Sequence, residues 1–139
     1  MSNSLPEKLT DCLNYCGEIL KQNNIEDARL NAELMLCEVL RFSRIDMYRN
    51  YDKQLSDQEI TIIKEYLDRR ILREPLQYII GRTSFYGLEF IVNKNVLIPR
   101  PETELLVEKL LKDIKESGKK KISVFEIGSG TGCISIALA

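Results

Sequence analysis

The stretch from residue 122 to residue 134 constrains this chain more than any other. Residues 122–127 are rich in β-branched side chains and predict a buried strand, and Ile134, Ile136 and Leu138 predict an apolar helix. Glycines at positions 128, 130 and 132 lie between them. Glycine tolerates positive φ and lacks a Cβ, so a ligand can approach this backbone closely, near the amide groups of the helix start. The sequence therefore predicts a strand, a glycine turn and a helix that together can bind a ligand.

The glycine spacing distinguishes two kinds of nucleotide-type ligand. A dinucleotide fingerprint, G-x-G-x-x-G, that begins at Gly128 needs a glycine where the chain has Cys133. The motif Glu126-x-Gly128-x-Gly130-x-Gly132 instead resembles the first motif of S-adenosylmethionine-dependent methyltransferases of the Rossmann-like class. In that class the turn lies against the methionine part of the cofactor, and the acidic residue orients it. The alternative is a purely structural turn, which needs one or two glycines but hardly three with an acid.

Composition excludes several classes of function. The chain has 139 residues, 44% of them hydrophobic, which suffices for one ordinary domain or two small ones. Lys+Arg 20 against Asp+Glu 21 gives a net charge of -1, so no global basic field attracts nucleic acid or an anionic membrane. The apolar runs are too short to cross a bilayer, and residues 1–8 lack the layout of a signal peptide. We expect a cytoplasmic protein with no membrane partner.

The chain has four cysteines and no histidine, which limits its chemistry. Without imidazole ligands or a Cys-x-x-Cys pair, we expect no metal site. Cys12 and Cys16 lie one helical turn apart on an apolar face, and we interpret them as small buried hydrophobic residues. The absence of histidine also removes the usual general base and the common nucleophile pairs. Any chemistry must therefore depend on positioning and electrostatics, which suits methyl transfer from an activated sulfonium.

Apolar residues at helical spacing predict a bundle in the first half of the chain. The first two helices are predicted over residues 5–22 and 27–40, the second with acidic residues in its first turn. A short third helix is expected to reach Arg49, and a fourth to end before Pro75. Four apolar faces joined by short links predict a small helical bundle with a boundary near Glu74.

Capping signals mark the starts of the third and fourth helices. Ser43 with Asp46 resembles a capping arrangement, and Ser56 with Glu59 is a capping box. At the end of the fourth helix lies a charged cluster that consists of Arg69, Arg70, Arg73 and Glu74. We interpret this cluster as a solvated face and not as a binding patch.

The period of the pattern changes after residue 75. Aromatic and β-branched residues around Gly87 predict a β-hairpin or two short strands between positions 83 and 92. Pro101 suits the first position of a helix, with acidic residues at 102 and 104 and Gly118 at its C-terminal end. The expected buried face of this helix consists of Leu105, Leu106, Leu110, Leu111 and Ile114. The three lysines at 119–121 are interpreted as a solvated loop before the predicted strand.

Four segments of the chain match one family together. They are the glycine turn, residues 27–34, the segment Gly81-x-x-x-Phe85-Tyr86-Gly87-Leu88, and residues 96–108 with the sequence Ile-Pro-Arg-Pro-Glu-Thr-Glu inside them. These segments resemble the peptide chain release factor N5-glutamine methyltransferases, the HemK/PrmC family. The resemblance covers nearly the whole chain, and the proline-rich segment is far more specific than the glycine turn.

The resemblance implies a fold and a function. It places a helical substrate-recognition domain at residues 1–74, a β-hairpin linker at 75–98 and the start of a Rossmann-like methyltransferase domain at 99–139, which makes the fold class α+β with the beginning of an α/β domain. Members of this family methylate the glutamine of a Gly-Gly-Gln tripeptide in peptide chain release factors, with S-adenosylmethionine as the donor. The implied partners are therefore release factors, with no direct contact to nucleic acid.

The resemblance also implies the residues of a cofactor site. These are Glu126, Gly128, Ser129, Gly130, Thr131 and Gly132, together with Arg100 in a segment that packs near the cofactor pocket. For Arg100 a second interpretation is open, in which its side chain pins the start of the helix or pairs with Glu102 or Glu104.

The chain also departs from the family pattern. The Asn-Pro-Pro-Tyr motif that holds the substrate amide does not occur in the 139 residues, and neither does the second-strand acid expected on the cofactor ribose. An amide nitrogen is a poor nucleophile because its lone pair is delocalised into the carbonyl, so it must be oriented for in-line attack. The predicted strand at 122–127 also needs neighbouring strands. We expect the N-terminal part of a longer enzyme, with no catalytic residue of its own and no activity by itself.

Two alternative functions stay open. The chain can be a non-catalytic module whose helical bundle binds a protein partner. It can also belong to a methyltransferase with another substrate, such as a ribosomal protein or a nucleic acid, although its near-neutral charge disfavours nucleic acid.

Overall fold

A computed structural model describes residues 5–119 and 121–139. Residues 1–4, which belong to the segment without a signal-peptide layout, lie outside the described residues. Lys120 of the predicted lysine loop lies outside them as well. The chain forms two compact units, Met1–Ile80 and Gly81–Ala139. The three functional domains assigned above, with limits at residues 74 and 98, stay a prediction.

The first unit is a helical bundle with one apolar core. Its helices are α1 (Leu9–Gln22), α2 (Ala28–Leu40), α3 (Arg44–Arg49), α4 (Asp57–Ile71) and α5 (Leu76–Ile80). Side chains from the first four helices are fully buried together, among them Leu9, Leu13, Cys16, Leu20, Met35, Leu36, Met47 and Ile63. The predicted helical bundle is thus confirmed.

Helix α1 begins four residues later than the apolar spacing predicted. Residues 5–8 are not helical, and Lys8 is extended and forms an isolated antiparallel bridge with Gln54. The Leu55 amide donates to the Glu7 carbonyl oxygen at 2.8 Å. These backbone bonds satisfy the polar groups of the segment without a helix, while Leu5 still reaches the core.

The start of α2 differs from the prediction. No acidic residue lies in its first turn, because Asp27 is the N-cap, in the left-handed conformation and without a side-chain capping bond. The Asn31 side chain instead donates to the carbonyl oxygens of Glu26 and Asp27, both at 3.1 Å. A side chain one turn inside the helix therefore fixes its entry.

Both predicted capping arrangements are confirmed. The Ser43 hydroxyl accepts from the Asp46 amide at 3.1 Å, and the Ser56 hydroxyl accepts from the Glu59 amide at 3.3 Å. In each pair the acidic side chain accepts the backbone amide of the serine in return. Each box therefore satisfies two backbone donors that the first turn of a helix leaves free.

Helix α5 was missed because Pro75 was interpreted only as the end of the helical region. Proline is also compatible with the start of a helix, and Pro75 directly precedes the first residue of α5. The amides of Tyr78 and Ile79 donate to the Pro75 carbonyl oxygen at 3.0 and 3.2 Å, and Leu76 and Ile79 are buried. The first unit consequently extends to residue 80.

The second unit contains the predicted β-hairpin. Strands β1 (Arg82–Phe85) and β2 (Leu88–Ile91) are antiparallel, with Phe85 opposite Leu88 and Arg82 opposite Ile91. Tyr86 and Gly87 form the connection with φ of 51° and 76°. Two consecutive positive φ angles are typical of the two-residue turns that match the twist of a hairpin.

Helix α6 (Pro101–Ser117) begins at the predicted proline and ends before Gly118, whose φ is 63°. Its buried face differs from the prediction, because Val107 is fully buried whereas Leu105 and Leu106 are exposed. Leu110, Leu111 and Ile114 are half-buried. These three follow Val107 by three, four and seven residues and share its face, whereas Leu105 lies on the opposite side of the helix.

The predicted strand at residues 122–127 is not formed. The segment has no regular secondary structure, and Phe125 and Ile127 are 88% and 87% exposed. A strand needs a partner for its backbone groups, and the strands of the described residues, β1 and β2, pair with each other. The expected buried strand is therefore wrong for this structure. The Rossmann-like fold stays a prediction.

Helix α7 (Cys133–Leu138) follows the glycine turn, as its apolar residues predicted. Among the described residues, no helix combines the length and the apolar character that crossing a membrane requires. The described residues likewise contain no cluster of three or more Cys, Asp or Glu that could hold a metal ion.

Candidate functional site

The glycine turn has a backbone that other residues adopt with difficulty. The φ angles of Gly128, Gly130 and Gly132 are 72°, 54° and 71°. Three left-handed residues within five positions are disfavoured for side chains with a Cβ. The Gly132 amide donates to the Ser129 carbonyl oxygen at 2.7 Å, which closes the turn directly before α7. All three glycines are therefore required by the conformation of the turn.

The surface around the turn is open. A Cβ added to Gly128 meets no atom within 4 Å, and one added to Gly130 meets only the Gly128 carbonyl oxygen at 4.0 Å. A Cβ on Gly132 lies 3.6 Å from Cδ1 of Ile136. The glycines thus leave room for an external group at the first two positions.

Glu126 is fixed beside this turn by a residue that sequence reasoning missed. The Ser135 hydroxyl in α7 donates a hydrogen bond to Oε2 of Glu126. The other carboxylate oxygen, Oε1, accepts no hydrogen bond from the described part of the chain. A serine three residues after the last glycine is the only sequence signal of this contact. The turn therefore carries a half-buried carboxylate with one oxygen available to a ligand.

A small apolar core anchors the turn to the rest of the second unit. Cys133, the first residue of α7, packs with Phe85, Phe90 and Val107. The two phenylalanine rings meet edge to face, with centroids 6.2 Å apart and an interplanar angle of 79°. The cysteine that breaks the dinucleotide fingerprint thus has a packing role, and it joins α7 to the hairpin and α6.

Arg100 is the N-cap residue of α6 and is exposed. Its carbonyl oxygen accepts from the Thr103 amide at 3.0 Å, but its side chain makes no capping bond. Within the described residues, its guanidinium forms no ion pair with Glu102 or Glu104 and no hydrogen bond with the glycine turn. The structure therefore brings Glu126 and the glycines together, but it does not join Arg100 to them. The assignment of all these residues to a cofactor stays a prediction.

The charged cluster at the end of α4 is only partly a solvated face, because Arg73 is exposed whereas Arg69, Arg70 and Glu74 are half-buried. Arg69 binds Glu74 through two hydrogen bonds of 2.6 and 2.8 Å. Arg70 donates to Oδ1 of Asn31 at 2.8 Å, and Arg73 donates to two backbone carbonyl oxygens after α1, at positions 23 and 24. Burial and the neighbouring Arg73 lower the pKa of Arg70. Arg70 therefore joins the end of α4 to α2, and Arg73 joins it to the end of α1, which the solvated-face interpretation did not predict.

A groove of about 490 Å³ in the first unit lies beside this cluster. Leu30, Leu34 and Leu76 supply apolar lining, and Arg70 and Arg73 lie at the same groove. Glu26 and Asp27 add negative charge, so the groove combines an apolar surface with charges of both signs. Such a surface suits a protein segment better than a nucleic acid.

Glu33 is a second feature that sequence reasoning missed, because an acid in a helix gives no signal of burial. Its side chain is 4% exposed, and it accepts from Arg44 at 2.6 and 3.0 Å and from the Tyr48 hydroxyl at 2.9 Å. Arg29 adds a bond of 3.3 Å. Burial raises the pKa of Glu33, but the bonds from Tyr48, Arg44 and Arg29 outweigh it, so the pKa lies below its usual value. The carboxylate joins α2 to α3.

The prediction that Cys12 and Cys16 are buried is confirmed. A hydrogen bond with Cys12, and burial, raise the pKa of Cys16. A thiol that stays protonated is a poor nucleophile and a poor metal ligand. Cys16 therefore belongs to the core of the bundle and not to a reactive site.

Comparison with known proteins now defines the class. Residues 11–81, which include α2 to α5 and most of α1, match the family model described as the PrmC N-terminal domain. The chain belongs to this family.

The curated relatives give the particular name of the group, release factor glutamine methyltransferase. The protein of Geobacter sulfurreducens is 40% identical over 127 residues, which cover 91% of this chain and 43% of that protein. The protein of Leptospira interrogans is 39% identical over 96% of this chain and 46% of its own length. The protein of Bacillus anthracis is 37% identical, over 95% and 46%. The chain thus spans less than half the length of the curated relatives it matches.

Proposed function

We propose that this chain serves a protein-glutamine N5-methyltransferase that modifies the Gly-Gly-Gln glutamine of peptide chain release factors. The observation that carries the proposal is that proteins named release factor glutamine methyltransferase match this chain over 91–96% of its length, with 39–40% identity. In this proposal residues 1–74 recognise the substrate, residues 75–98 form a linker, and residues 99–139 begin the methyltransferase domain.

The proposed donor is S-adenosylmethionine, which supplies a methyl group already activated on a sulfonium. The glycine turn fits such a ligand, because Gly128 and Gly130 leave space in which a side chain would stand. The backbone of residues 128–132 would hold the donor, and Glu126, held by Ser135, would orient it through its available oxygen. Arg100 completes the proposed site from the start of α6.

The proposed reaction requires little proton chemistry from this chain. The described residues place their polar groups for binding and orientation, and the sequence has no histidine to act as a general base. An amide nucleophile needs alignment with the methyl group, so positioning accounts for most of the expected rate. The first unit would contribute by docking the release factor through the groove that Leu30 and Leu34 line.

A chimera tests this proposal. The chain is joined to the portion of the Geobacter sulfurreducens protein that the match does not cover, and the transfer of radiolabelled methyl from S-adenosylmethionine to a release factor is measured. We expect incorporation by the chimera, none by the chain alone, and none into a release factor whose Gly-Gly-Gln glutamine is replaced by alanine. A folded chimera without incorporation, or one that labels the substituted release factor equally, refutes the proposal.

The buried core and groove of the first unit favour a second candidate, a non-catalytic module that binds a protein. The matched pair Leu30→Glu and Ile45→Glu tests it, since both side chains are exposed but only Leu30 lines the groove. We expect Leu30→Glu to weaken the binding of immobilised chain to a release factor about tenfold or more, with no effect of Ile45→Glu. Binding without methyl transfer by the chimera would favour the module. The remaining alternative is a methyltransferase with another substrate. It is tested by using a ribosomal protein or RNA in place of the release factor in the methyl-transfer and binding assays.

A further inference from the structure

The hairpin of the second unit contains a strained residue that the proposed function does not yet use. Tyr86 has a φ of 51°, and it is the only non-glycine residue with positive φ among the described residues after position 80. A bulky aromatic side chain disfavours this region, which Asn, Asp and Gly accept more readily. Such strain persists only where neighbouring contacts impose it.

A carboxylate from α6 binds the turn in this conformation. The backbone amide of Tyr86 donates to Oε1 of Glu104 at 2.7 Å. In a two-residue hairpin turn the ladder bonds belong to the flanking residues, here Phe85 and Leu88, so the Tyr86 amide is available to a group outside the hairpin. A hydrogen bond to an ionised acceptor is stronger than one between neutral groups. Glu104 also lies in the first turn of α6, where the helix dipole favours its charge.

This bond is the polar part of a two-point attachment. Phe85 and Phe90 pack on Val107, one turn after Glu104 along α6. The apolar contact fixes the middle of the helix, and the Glu104 bond fixes its first turn. The N-cap of the same turn is Arg100, whose side chain has no hydrogen bond or ion pair within the described residues. The position of Arg100 consequently depends on how firmly the start of α6 is held.

We infer that Glu104 is a positioning residue for the methyl donor. By holding the Tyr86–Gly87 turn against the first turn of α6, it fixes the backbone that carries Arg100. Glu104 itself touches no donor in this inference, because its carboxylate is already bound to the hairpin. The inference rests on the proposed function, since Arg100 is a donor-binding residue only there.

Amide hydrogen exchange of the whole chain tests the attachment independently of any ligand. We expect Glu104→Ala to speed exchange of the Tyr86 amide about tenfold or more, because the charged acceptor is lost. Glu104→Gln keeps an acceptor oxygen and is expected to retain part of the protection. Glu102→Ala is the matched control, since Glu102 lies in the same helical turn and is exposed. It removes a similar interaction with the helix dipole but leaves the Tyr86 amide bonded.

Calorimetric titration with S-adenosylmethionine tests the effect on binding. We expect Glu104→Ala to weaken donor affinity about tenfold and Glu102→Ala to change it less than about twofold. If Glu104 acts through Arg100, the loss disappears in an Arg100→Ala background, whereas a merely structural role gives additive losses. Tyr86→Gly in the Glu104→Ala chain is not expected to restore affinity, because glycine relieves the strain of the turn but does not replace the bond that joins the turn to α6.

The outcomes separate this inference from the proposed function. Unchanged Tyr86 exchange in Glu104→Ala, or additive losses with Arg100→Ala, refutes the positioning role while donor binding by the unsubstituted chain still supports the cofactor site. If the unsubstituted chain binds no donor, the cofactor site proposed for this chain is refuted. The proposed role of Glu104 in donor binding is then refuted as well. Accelerated exchange would then establish Glu104 as a structural attachment only.

Discussion

The two units of this chain bury their apolar side chains to very different extents. In the first, α1 to α4 bring fully buried residues into one continuous core. In the second, the core cluster found among the described residues consists of Phe85, Phe90, Val107 and Cys133. Large apolar side chains such as Phe125, Ile127 and Ile91 remain almost entirely in contact with solvent. Because buried apolar area is the main favourable term in folding, the units should differ strongly in stability.

The largest expected effect is in amide exchange. Core amides of α1 and α2 open only with the whole bundle, whereas the backbone of residues 121–127 is in no helix or strand. We expect protection factors in these helices that correspond to about 5 kcal/mol or more, and little protection from residue 121 to 127. Exchange mass spectrometry measures both regions in one sample. Strong protection of residues 121–127 would mean that they form a pairing absent from this structure.

A pair of large-to-small substitutions measures the same contrast. Leu13 is fully buried in α1, so Leu13→Ala removes packed methyl groups and is expected to reduce the free energy of unfolding by about 2–5 kcal/mol. Phe125→Ala removes a larger side chain from an exposed site and is expected to change it by less than about 0.5 kcal/mol. Urea unfolding followed by circular dichroism gives both values. Similar losses for the two variants would contradict the comparison.

The same contrast explains what the sequence could predict. The capping boxes at Ser43 and Ser56, the proline at the start of α6 and the turn at Gly87 act within four residues, and all were predicted correctly. Local chemistry determines these features. The prediction of a strand at residues 122–127 was wrong because residue composition indicates only a preference for β-structure. A strand also needs a partner strand, which the local sequence does not specify.

Side-chain partners far apart in sequence were also beyond prediction. Glu33 binds Arg44 and Tyr48 across two helices, and Arg70 binds Asn31 from 39 positions away. For the candidate site, the sequence predicted the backbone turn but not the side-chain contacts around it. Its glycines require positive φ, which residue type alone suggests, but the bond from Ser135 to Glu126 depends on how α7 folds back beside the turn.

Glu33 provides a pH-dependent test that affects only the first unit. Its folded-state pKa is lowered, so its contribution to stability is present above the unfolded value, about 4.3, and is lost as the pH falls through the folded value. Glu33→Gln keeps the shape but removes the charge, and we expect it to reduce the free energy of unfolding at pH 7 by about 1–2 kcal/mol. Unfolding in urea is measured for both chains from pH 7 to pH 3.

The difference between the two chains should shrink as the solution becomes acidic, because protonated Glu33 loses its charge-assisted bonds. Other carboxylates with lowered pKa values, such as Glu59, titrate in both chains and cancel in the comparison. A difference that stays constant down to pH 3 would show that the Glu33 charge does not stabilise the bundle.

The smallest expected effect concerns the cap of α4. Ser56→Ala removes the hydroxyl that accepts from the Glu59 amide, and it is expected to reduce the free energy of unfolding by about 1 kcal/mol. Ser123→Ala is the matched control, because Ser123 is exposed in the irregular segment of the second unit and caps no helix. We expect no measurable change from it, since an exposed hydroxyl outside such a cap contributes within about 0.5 kcal/mol. Equal effects of the two substitutions would mean that the Ser56 hydroxyl stabilises the chain no more than an exposed hydroxyl that caps no helix. The contrast between the units would then rest on their cores alone.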